Sequence, residues 1–227
     1  MDRGPIGLFE EQESFPESLS GGGYMRPPDP PLLESAAKRG GFGGRPIGNL
    51  FFALFPSAAA IQLIYELAVH ECHIHSLAGY FIALERLHMS LAPLVTFPGE
   101  IAPPLYLDAG IYIGNRIQMH PFMISLDRTA NFNGRGSRWP YVLTAGEGRG
   151  GTITLSTLLA KELRKVGIKF SPSSVNPHVT MLYDRKRPPA REVEAISWLV
   201  NDFALVHSHV GESRYDIIKR WTLSGSI

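Results

Sequence analysis

Two short motifs that pair a histidine with a hydroxyl residue are the features of this sequence best suited to chemistry. Of its eight histidines, only two are followed two positions later by serine or threonine, in His88-Met89-Ser90 and His178-Val179-Thr180. The motifs lie in different halves of the chain, each within an apolar run. Because alternate side chains of a strand share a face, each motif would direct an imidazole and a hydroxyl to one side and apolar groups to the other.

Such a pair suits general acid–base chemistry at a phosphate ester. Opening a cyclic phosphodiester with water needs a base at the attacking oxygen and an acid at the leaving oxygen. The unperturbed pKa of histidine is about 6.5, so near neutral pH one ring can be neutral while its partner is charged. The hydroxyls of Ser90 and Thr180 can donate to the non-bridging oxygens, where negative charge develops. One copy alone would usually be a structural histidine, whereas two copies in similar strands favour a site. The arrangement requires no metal ion, and we predict neither a metal nor a cofactor.

Composition bounds the class of protein. The chain has 227 residues, 44% of them hydrophobic, enough for one core, and a formal net charge of +1 that argues against non-specific nucleic-acid binding. Its single cysteine, Cys72, predicts no internal disulfide and fits a reducing compartment. The N-terminus lacks a signal-peptide pattern, and no apolar run reaches the roughly 18 residues of a membrane span. We therefore expect a cytoplasmic monomer without membrane association.

The sequence divides into a tail and one folded domain. Residues 1–45 are rich in glycine, proline and serine and poor in apolar groups, which predicts a disordered tail, with a partner-binding segment as the alternative. Residues 46–227 form the predicted domain. Its periodicity predicts helices over 58–70, 105–117 and 154–166, with Ser57 as the first N-cap, and strands over 50–55, 86–91, 122–126, 141–143, 178–183, 196–200, 203–207 and 215–223. This order favours an α+β fold of two lobes.

These features resemble a known family. The paired motifs, together with the opening run over 49–56, resemble the two-histidine (2H) phosphoesterases, specifically the 2'-5' RNA ligase group, also described as RNA 2',3'-cyclic phosphodiesterases. Residues 86–91 are similar to the first family motif and 176–182 to the second, while 205–208, Tyr215 and 220–223 resemble its closing strands. The resemblance implies a bilobal fold in which two pseudo-symmetric β-α-β lobes with antiparallel sheets enclose a central cleft.

The resemblance also implies an activity and its site. A terminal 2',3'-cyclic phosphate of RNA, or of a nucleotide, would be hydrolysed to a 2'-phosphomonoester. His88 would protonate the 3' leaving oxygen, and His178 would accept the proton of the attacking water. With an RNA 5'-hydroxyl in place of water, the same pair would join RNA ends through a 2'-5' bond. The alternatives are a module that binds RNA or nucleotide phosphate without turnover, and a 2H esterase for another cyclic phosphate.

Two departures from the family pattern concern substrate binding. Ser90 stands where threonine is more frequent, which keeps the hydroxyl. Many members of the family carry an arginine five positions after the second histidine. In this sequence that position is Tyr183, and Arg185 lies just beyond it. Tyr183, Arg185 and Phe52 are the predicted substrate-binding residues. Further candidates are Arg128 for phosphate and Phe132, Trp139 and Tyr141 for base stacking.

Two other patterns receive structural interpretations. The run from His70 to His75 lacks the histidine spacing of a zinc protease, because Ile74 occupies the position four after His70, and it predicts an exposed polar helix face. Residues 146–151 are glycine-rich but lack the lysine of a phosphate loop, and they predict a flexible loop at the edge of the cleft.

Overall fold

Two antiparallel sheets and three helices make up the chain over residues 47–133, 137–146, 148–172 and 176–225, which the computed structural model describes. The strands are β1 (Ile47–Leu54), β2 (Tyr80–Phe81), β3 (Met89–Pro98), β4 (Phe122–Asn131), β5 (Trp139–Thr144), β6 (His178–Asp184), β7 (Arg191–Val200), β8 (Asp202–Val210) and β9 (Arg214–Thr222). The helices are α1 (Ala58–His75), α2 (Pro104–Gly114) and α3 (Gly150–Lys165). The first sheet has the order β3-β1-β8-β9 and the second β2-β6-β5-β4-β7. The predicted α+β class with two antiparallel sheets is confirmed.

Strand β1 lies in the middle of the first sheet and is buried on both faces. Leu50, Phe52 and Leu54 belong to the main core, whereas Phe51 and Ala53 belong to a smaller buried cluster on the other face. Burial on both faces explains why the sequence here is a continuous apolar run rather than an alternating one.

Each sheet packs against a helix that follows a strand of the other sheet. Helix α1 follows β1 of the first sheet but contacts β6 and β7 of the second. Helix α3 follows β5 of the second sheet but contacts β3 of the first as well as β4. This exchange joins both sheets around one continuous core. The N-cap of α1 is Ser57, as predicted, and its Oγ accepts a hydrogen bond from the backbone N–H of Ala60 at 3.2 Å.

Element boundaries differ from the sequence predictions where glycines or short turns intervene. Residues Leu84–Arg86 form a 3-10 turn, so β3 begins only at Met89, and the two-residue strand β2 was not predicted. Helix α3 begins at Gly150, inside the predicted loop. A Cβ at Gly151 would lie 2.1 Å from the Phe122 ring, so glycine permits this close packing of the helix.

The two sheets do not correspond to the two halves of the sequence. Strands β8 and β9 come last in the chain, yet they return to the first sheet beside β1. The predicted tail over residues 1–45 lies outside the described residues. Within the described part of the chain, no helix is long and apolar enough to cross a membrane.

Candidate active site

His88 lies at the junction between the 3-10 turn and β3. Its neighbours Leu87 and Met89 are buried in the core, while Ser90 is half-buried on the side of the histidine. The Oγ of Ser90 lies 3.3 Å from Nε2 of His88. The alternation inferred from the sequence therefore holds, although His88 itself precedes the first residue of the strand.

A backbone carbonyl fixes the tautomer of His88. Nδ1 of His88 lies 2.7 Å from the carbonyl oxygen of Arg86, two residues earlier. A carbonyl only accepts, so Nδ1 carries the proton and donates it. In the neutral ring, Nε2 is then left with a lone pair beside the Ser90 hydroxyl.

The second motif repeats this arrangement on β6. Nδ1 of His178 lies 2.7 Å from the carbonyl oxygen of Asn176, again two residues earlier. The preceding segment is fixed in turn, because the Thr144 hydroxyl donates to the carbonyl oxygen of Pro177 at 2.7 Å. Val179 is fully buried in the core and Thr180 is 9% exposed. In both motifs, Nδ1 is therefore bound to a backbone carbonyl, and Nε2 is the ring nitrogen on the other side.

Strands β3 and β6 come from different sheets, yet they contact each other. Burial is the main reason that the pKa of His88 is lowered to about 4. The hydrogen bond to the Arg86 carbonyl raises this pKa, whereas positive charge on His178 and on Arg86 lowers it. Burial also lowers the pKa of His178, against the opposing effect of the Asn176 carbonyl. Both rings are therefore neutral at neutral pH, and an anion placed between them would raise the pKa of each.

Aromatic rings surround both histidines. The ring centroid of His88 lies 5.3 Å from that of Phe51 and 5.2 Å from that of Tyr215. Phe55 lies somewhat farther, at 6.4 Å from His88, and the Phe132 ring lies 4.6 Å from that of His178. The sequence predicts Phe132 as a stacking residue but does not indicate that Phe51 and Phe55 lie beside His88. Their only signal, the apolar run of β1, does not show which residues face the cleft.

Two of the predicted substrate-binding residues lie in the core instead. Phe52 is fully buried, and its ring packs against Phe203 and Trp221, so the structure does not bring it to either histidine. Tyr183 is only 3% exposed and also belongs to the core. Strand alternation places the Phe52 side chain on the face opposite to Phe51.

The position of Arg185 also argues against the predicted phosphate contact. In the β5–β6 ladder, Thr144 pairs with His178, whereas Trp139, at the other end of β5, pairs with Asp184. Arg185 is exposed beyond that far end. At about 3.3 Å per residue, it lies roughly 20 Å along the strand from His178. The structure therefore does not bring Tyr183 or Arg185 to His178, and the clamp stays a prediction without support from this geometry.

Arg86 is the cation that the structure brings next to His88. Its side chain is 2% exposed, and its guanidinium lies over the Tyr215 ring, 4.5 Å from the centroid. The further phosphate candidate, Arg128, instead forms an exposed ion pair with Glu192 at 3.1 Å. Arg86 thus brings positive charge beside His88 from within residues 86–91.

The polar face predicted for α1 is only partly correct. His70 and His73 are exposed, as expected. Glu71 is fully buried and accepts hydrogen bonds from the Tyr141 hydroxyl and from Arg191. Tyr141 is thereby assigned to a buried polar network, rather than to base stacking.

No protein-family model and no curated protein matches the sequence. E. coli LigT in its apo form matches with 25% identity over 78% of this chain and 98% of that chain, at a TM-score of 0.60. E. coli LigT complexed with 3'-AMP matches with 28% identity over 79% of this chain and 99% of that chain, at a TM-score of 0.58. A protein of Thermus thermophilus, TT0787, is 22% identical over 79% of this chain and 100% of that chain, and it matches in fold at a TM-score of 0.64.

The fold and these similarities define a class: the chain has the LigT-like fold of the two-histidine phosphoesterases. The family resemblance drawn from the two motifs is thereby confirmed. The neighbours support an enzyme of the 2H class with a phosphoesterase or ligase-like function.

Proposed function

We propose that this protein opens terminal 2',3'-cyclic phosphates of RNA and leaves a 2'-phosphomonoester. The observation that carries the proposal is the duplicated anchoring of two imidazoles. Nδ1 of His88 and Nδ1 of His178 each donate to a carbonyl two residues earlier, on strands that belong to different sheets but contact each other. Two pre-oriented rings on contacting strands of two sheets suit in-line displacement at phosphorus.

We assign the proton transfers in the roles that the family resemblance implies. Nε2 of His178 takes a proton from water as the water oxygen forms a bond to phosphorus. The bond between phosphorus and the 3' oxygen breaks, and His88, protonated at Nε2, gives that oxygen its proton. The Ser90 hydroxyl, 3.3 Å from Nε2 of His88, and the Thr180 hydroxyl donate to the non-bridging oxygens.

Protonation of His88 depends on the substrate. In the free protein, burial holds the pKa of this ring at about 4, so the acid form is scarce near neutral pH. A bound phosphodiester brings a negative charge to the ring and raises its pKa. The acid form is therefore favoured when substrate is present.

Two observations favour a nucleotide end as the substrate. LigT, a structural neighbour, has been crystallised with 3'-AMP and with ATP. In this chain, the half-buried Phe132 ring beside His178 offers an apolar face next to the phosphate position, where a base could stack. With an RNA 5'-hydroxyl as nucleophile, the same proton transfers would form a 2'-5' bond.

The proposal is tested with a 2',3'-cyclic mononucleotide and an RNA oligonucleotide that ends in a cyclic phosphate. Phosphorus NMR follows ring opening and identifies the oxygen that retains the phosphate. We expect a 2'-phosphate product, and we expect His88→Ala or His178→Ala to lower turnover by at least about 10²-fold. His70→Ala, which removes an exposed histidine of α1, is the matched control.

The alternatives predict different results. A binding module would retain affinity for the RNA end but release no product. An esterase for another cyclic phosphate would leave both ribonucleotides intact while opening a different ring. Full activity of both alanine variants would rule out the assigned acid–base pair.

A further inference from the structure

A cluster of two histidines and one aspartate lies outside the candidate active site. His207 and His209 belong to β8, and Asp216 belongs to the adjacent β9, where it pairs with His207. One side-chain ligand atom of each lies within 4.8 Å of those of the other two. The cluster joins the last two strands of the first sheet.

The alternation of β8 places this cluster away from the catalytic pair. Ala204 and Val206 belong to the small buried cluster that contains Phe51, the neighbour of His88. His207 and His209 point to the opposite face of β8. His207 also pairs with Leu50, whereas Leu54 at the other end of β1 pairs with Met89, next to His88. The two groups of residues therefore form separate sites.

The ligand set suits a transition-metal ion. Two histidines at alternate positions of a strand share a face, and their ring centroids are 4.0 Å apart. Nε2 of His209 lies 2.7 Å from a carboxylate oxygen of Asp216. Two imidazoles and one carboxylate are ligands that Zn²⁺ accepts in a tetrahedral site, with water as the fourth ligand.

One atom of the cluster lacks a partner. His207 is 4% exposed, and among the described residues its Nε2 has no hydrogen-bond partner. A buried polar atom without a partner costs free energy. Rotation of the imidazole exchanges its two nitrogens, so either can be the ligand.

We propose that His207, His209 and Asp216 bind a divalent transition-metal ion of the Zn²⁺ class, which links β8 to β9. The Asp216 side chain is 44% exposed, so the ion and its water have access from that side. The ion stabilises the first sheet and takes no part in the proposed chemistry at His88 and His178.

Arg214 competes with this ion. Its guanidinium donates to Nδ1 of His209 at 3.0 Å and also contacts Asp216 at 3.2 Å. This contact leaves the proton of the neutral ring on Nε2, the atom that faces Asp216. Metal binding at Nε2 moves the proton to Nδ1, where it would oppose the guanidinium. Arg214 is half-exposed and must swing away, so its removal should tighten metal binding.

Calorimetric titration of the chelator-treated full chain with ZnCl2 tests the proposal, with MgCl2 as a comparison. We expect one Zn²⁺ per chain, a rise in Tm with Zn²⁺, and no stoichiometric binding of Mg²⁺. His209→Gln and Asp216→Asn should each weaken Zn²⁺ binding by at least about tenfold. His70→Gln is the matched control, because His70 and His73 are both exposed on α1 at i,i+3 spacing and could form a rival surface site.

Arg214→Gln provides an independent variant that retains every ligand, and it should bind Zn²⁺ more tightly than the wild type. Circular dichroism verifies that each variant is folded. The proposal fails if the wild-type chain binds no stoichiometric Zn²⁺, if affinity survives in His209→Gln and Asp216→Asn, or if His70→Gln abolishes it. Weaker binding by Arg214→Gln would contradict the competition.

Discussion

Nδ1 of His178 lies 2.7 Å from the carbonyl oxygen of Asn176, which repeats on β6 the contact that His88 makes with Arg86. In both cases the acceptor lies two residues before the histidine. The chain thus orients two imidazoles with its own backbone and needs no carboxylate for the purpose. A carbonyl cannot take up a proton, so each ring keeps its Nδ1 proton, and Nε2 is the nitrogen available for the proposed proton transfers.

This anchoring predicts the tautomer of both rings. At neutral pH, His88 and His178 should be neutral and protonated at Nδ1, because the carbonyls of Arg86 and Asn176 accept only from that nitrogen. Long-range nitrogen–proton NMR spectra of histidine-labelled protein distinguish the two tautomers. His88→Gln and His178→Gln assign the signals. Protonation at Nε2 in either ring would contradict the anchoring.

The lowered pKa values predict the pH dependence of catalysis. The pKa of His88 is about 4 in the free protein, so the fraction of its acid form grows as the pH falls from about 8 to about 6.5, while His178, whose pKa is also lowered, stays neutral and acts as a base. We therefore expect kcat/KM to rise as the pH falls over this interval.

The bound substrate should shift this profile. Its negative charge raises the pKa of His88, so the optimum of kcat should lie at higher pH than that of kcat/KM. Rate measurements at saturating and at limiting cyclic nucleotide provide both profiles. Identical optima, or a rate independent of pH over this range, would show that the assigned protonation states are incorrect.

The hydroxyls of the two motifs should stabilise the transition state. Ser90→Ala and Thr180→Val should each lower kcat by about tenfold or more, with a smaller change in KM, because they remove donors to oxygens that become more negative. Ser90→Thr and Thr180→Ser keep the hydroxyl and should retain most activity. Ser197→Ala, which removes an exposed hydroxyl bonded to Ser125, is the control. An equal loss in the conservative variants would indicate a packing role instead.

Glu71 should matter for stability rather than for catalysis. Its buried carboxylate accepts from Tyr141 and Arg191, so Glu71→Ala leaves both donors without that acceptor. We expect the free energy of unfolding in urea to fall by about 3 kcal/mol, with kcat unchanged below the transition. Glu66→Ala, on the exposed face of the same helix, should change stability little. Equal effects of the two variants would refute the role of the buried network.

The sequence was informative where the local pattern decides the structure. Alternation along a strand placed His88 with Ser90, and the hydroxyl of Ser57 identified the start of α1. Two copies of a short motif indicated an acid–base pair, and the family resemblance indicated the two-sheet fold. These inferences needed only neighbours within a few residues.

Contacts between distant strands required the tertiary structure. The β1 run is apolar on both faces, so its sequence does not distinguish the residues of the main core from those beside the histidine. The structure shows that Phe52 packs against Phe203, whereas Phe51 lies beside His88. Glu71 lies in a polar stretch of α1, yet Arg191, distant in sequence, pairs with it and permits its burial.

The sequence by itself determined which side chains share a face with each histidine, because strand geometry depends only on residue spacing. It could not determine what lies opposite that face. The fold alone brought β3 and β6 together, and the fold alone placed Arg185 at the far end of β6 and His207 beside Asp216 on β9. The partners of a side chain across a sheet depend on strand order and register, and residues remote in the chain set both.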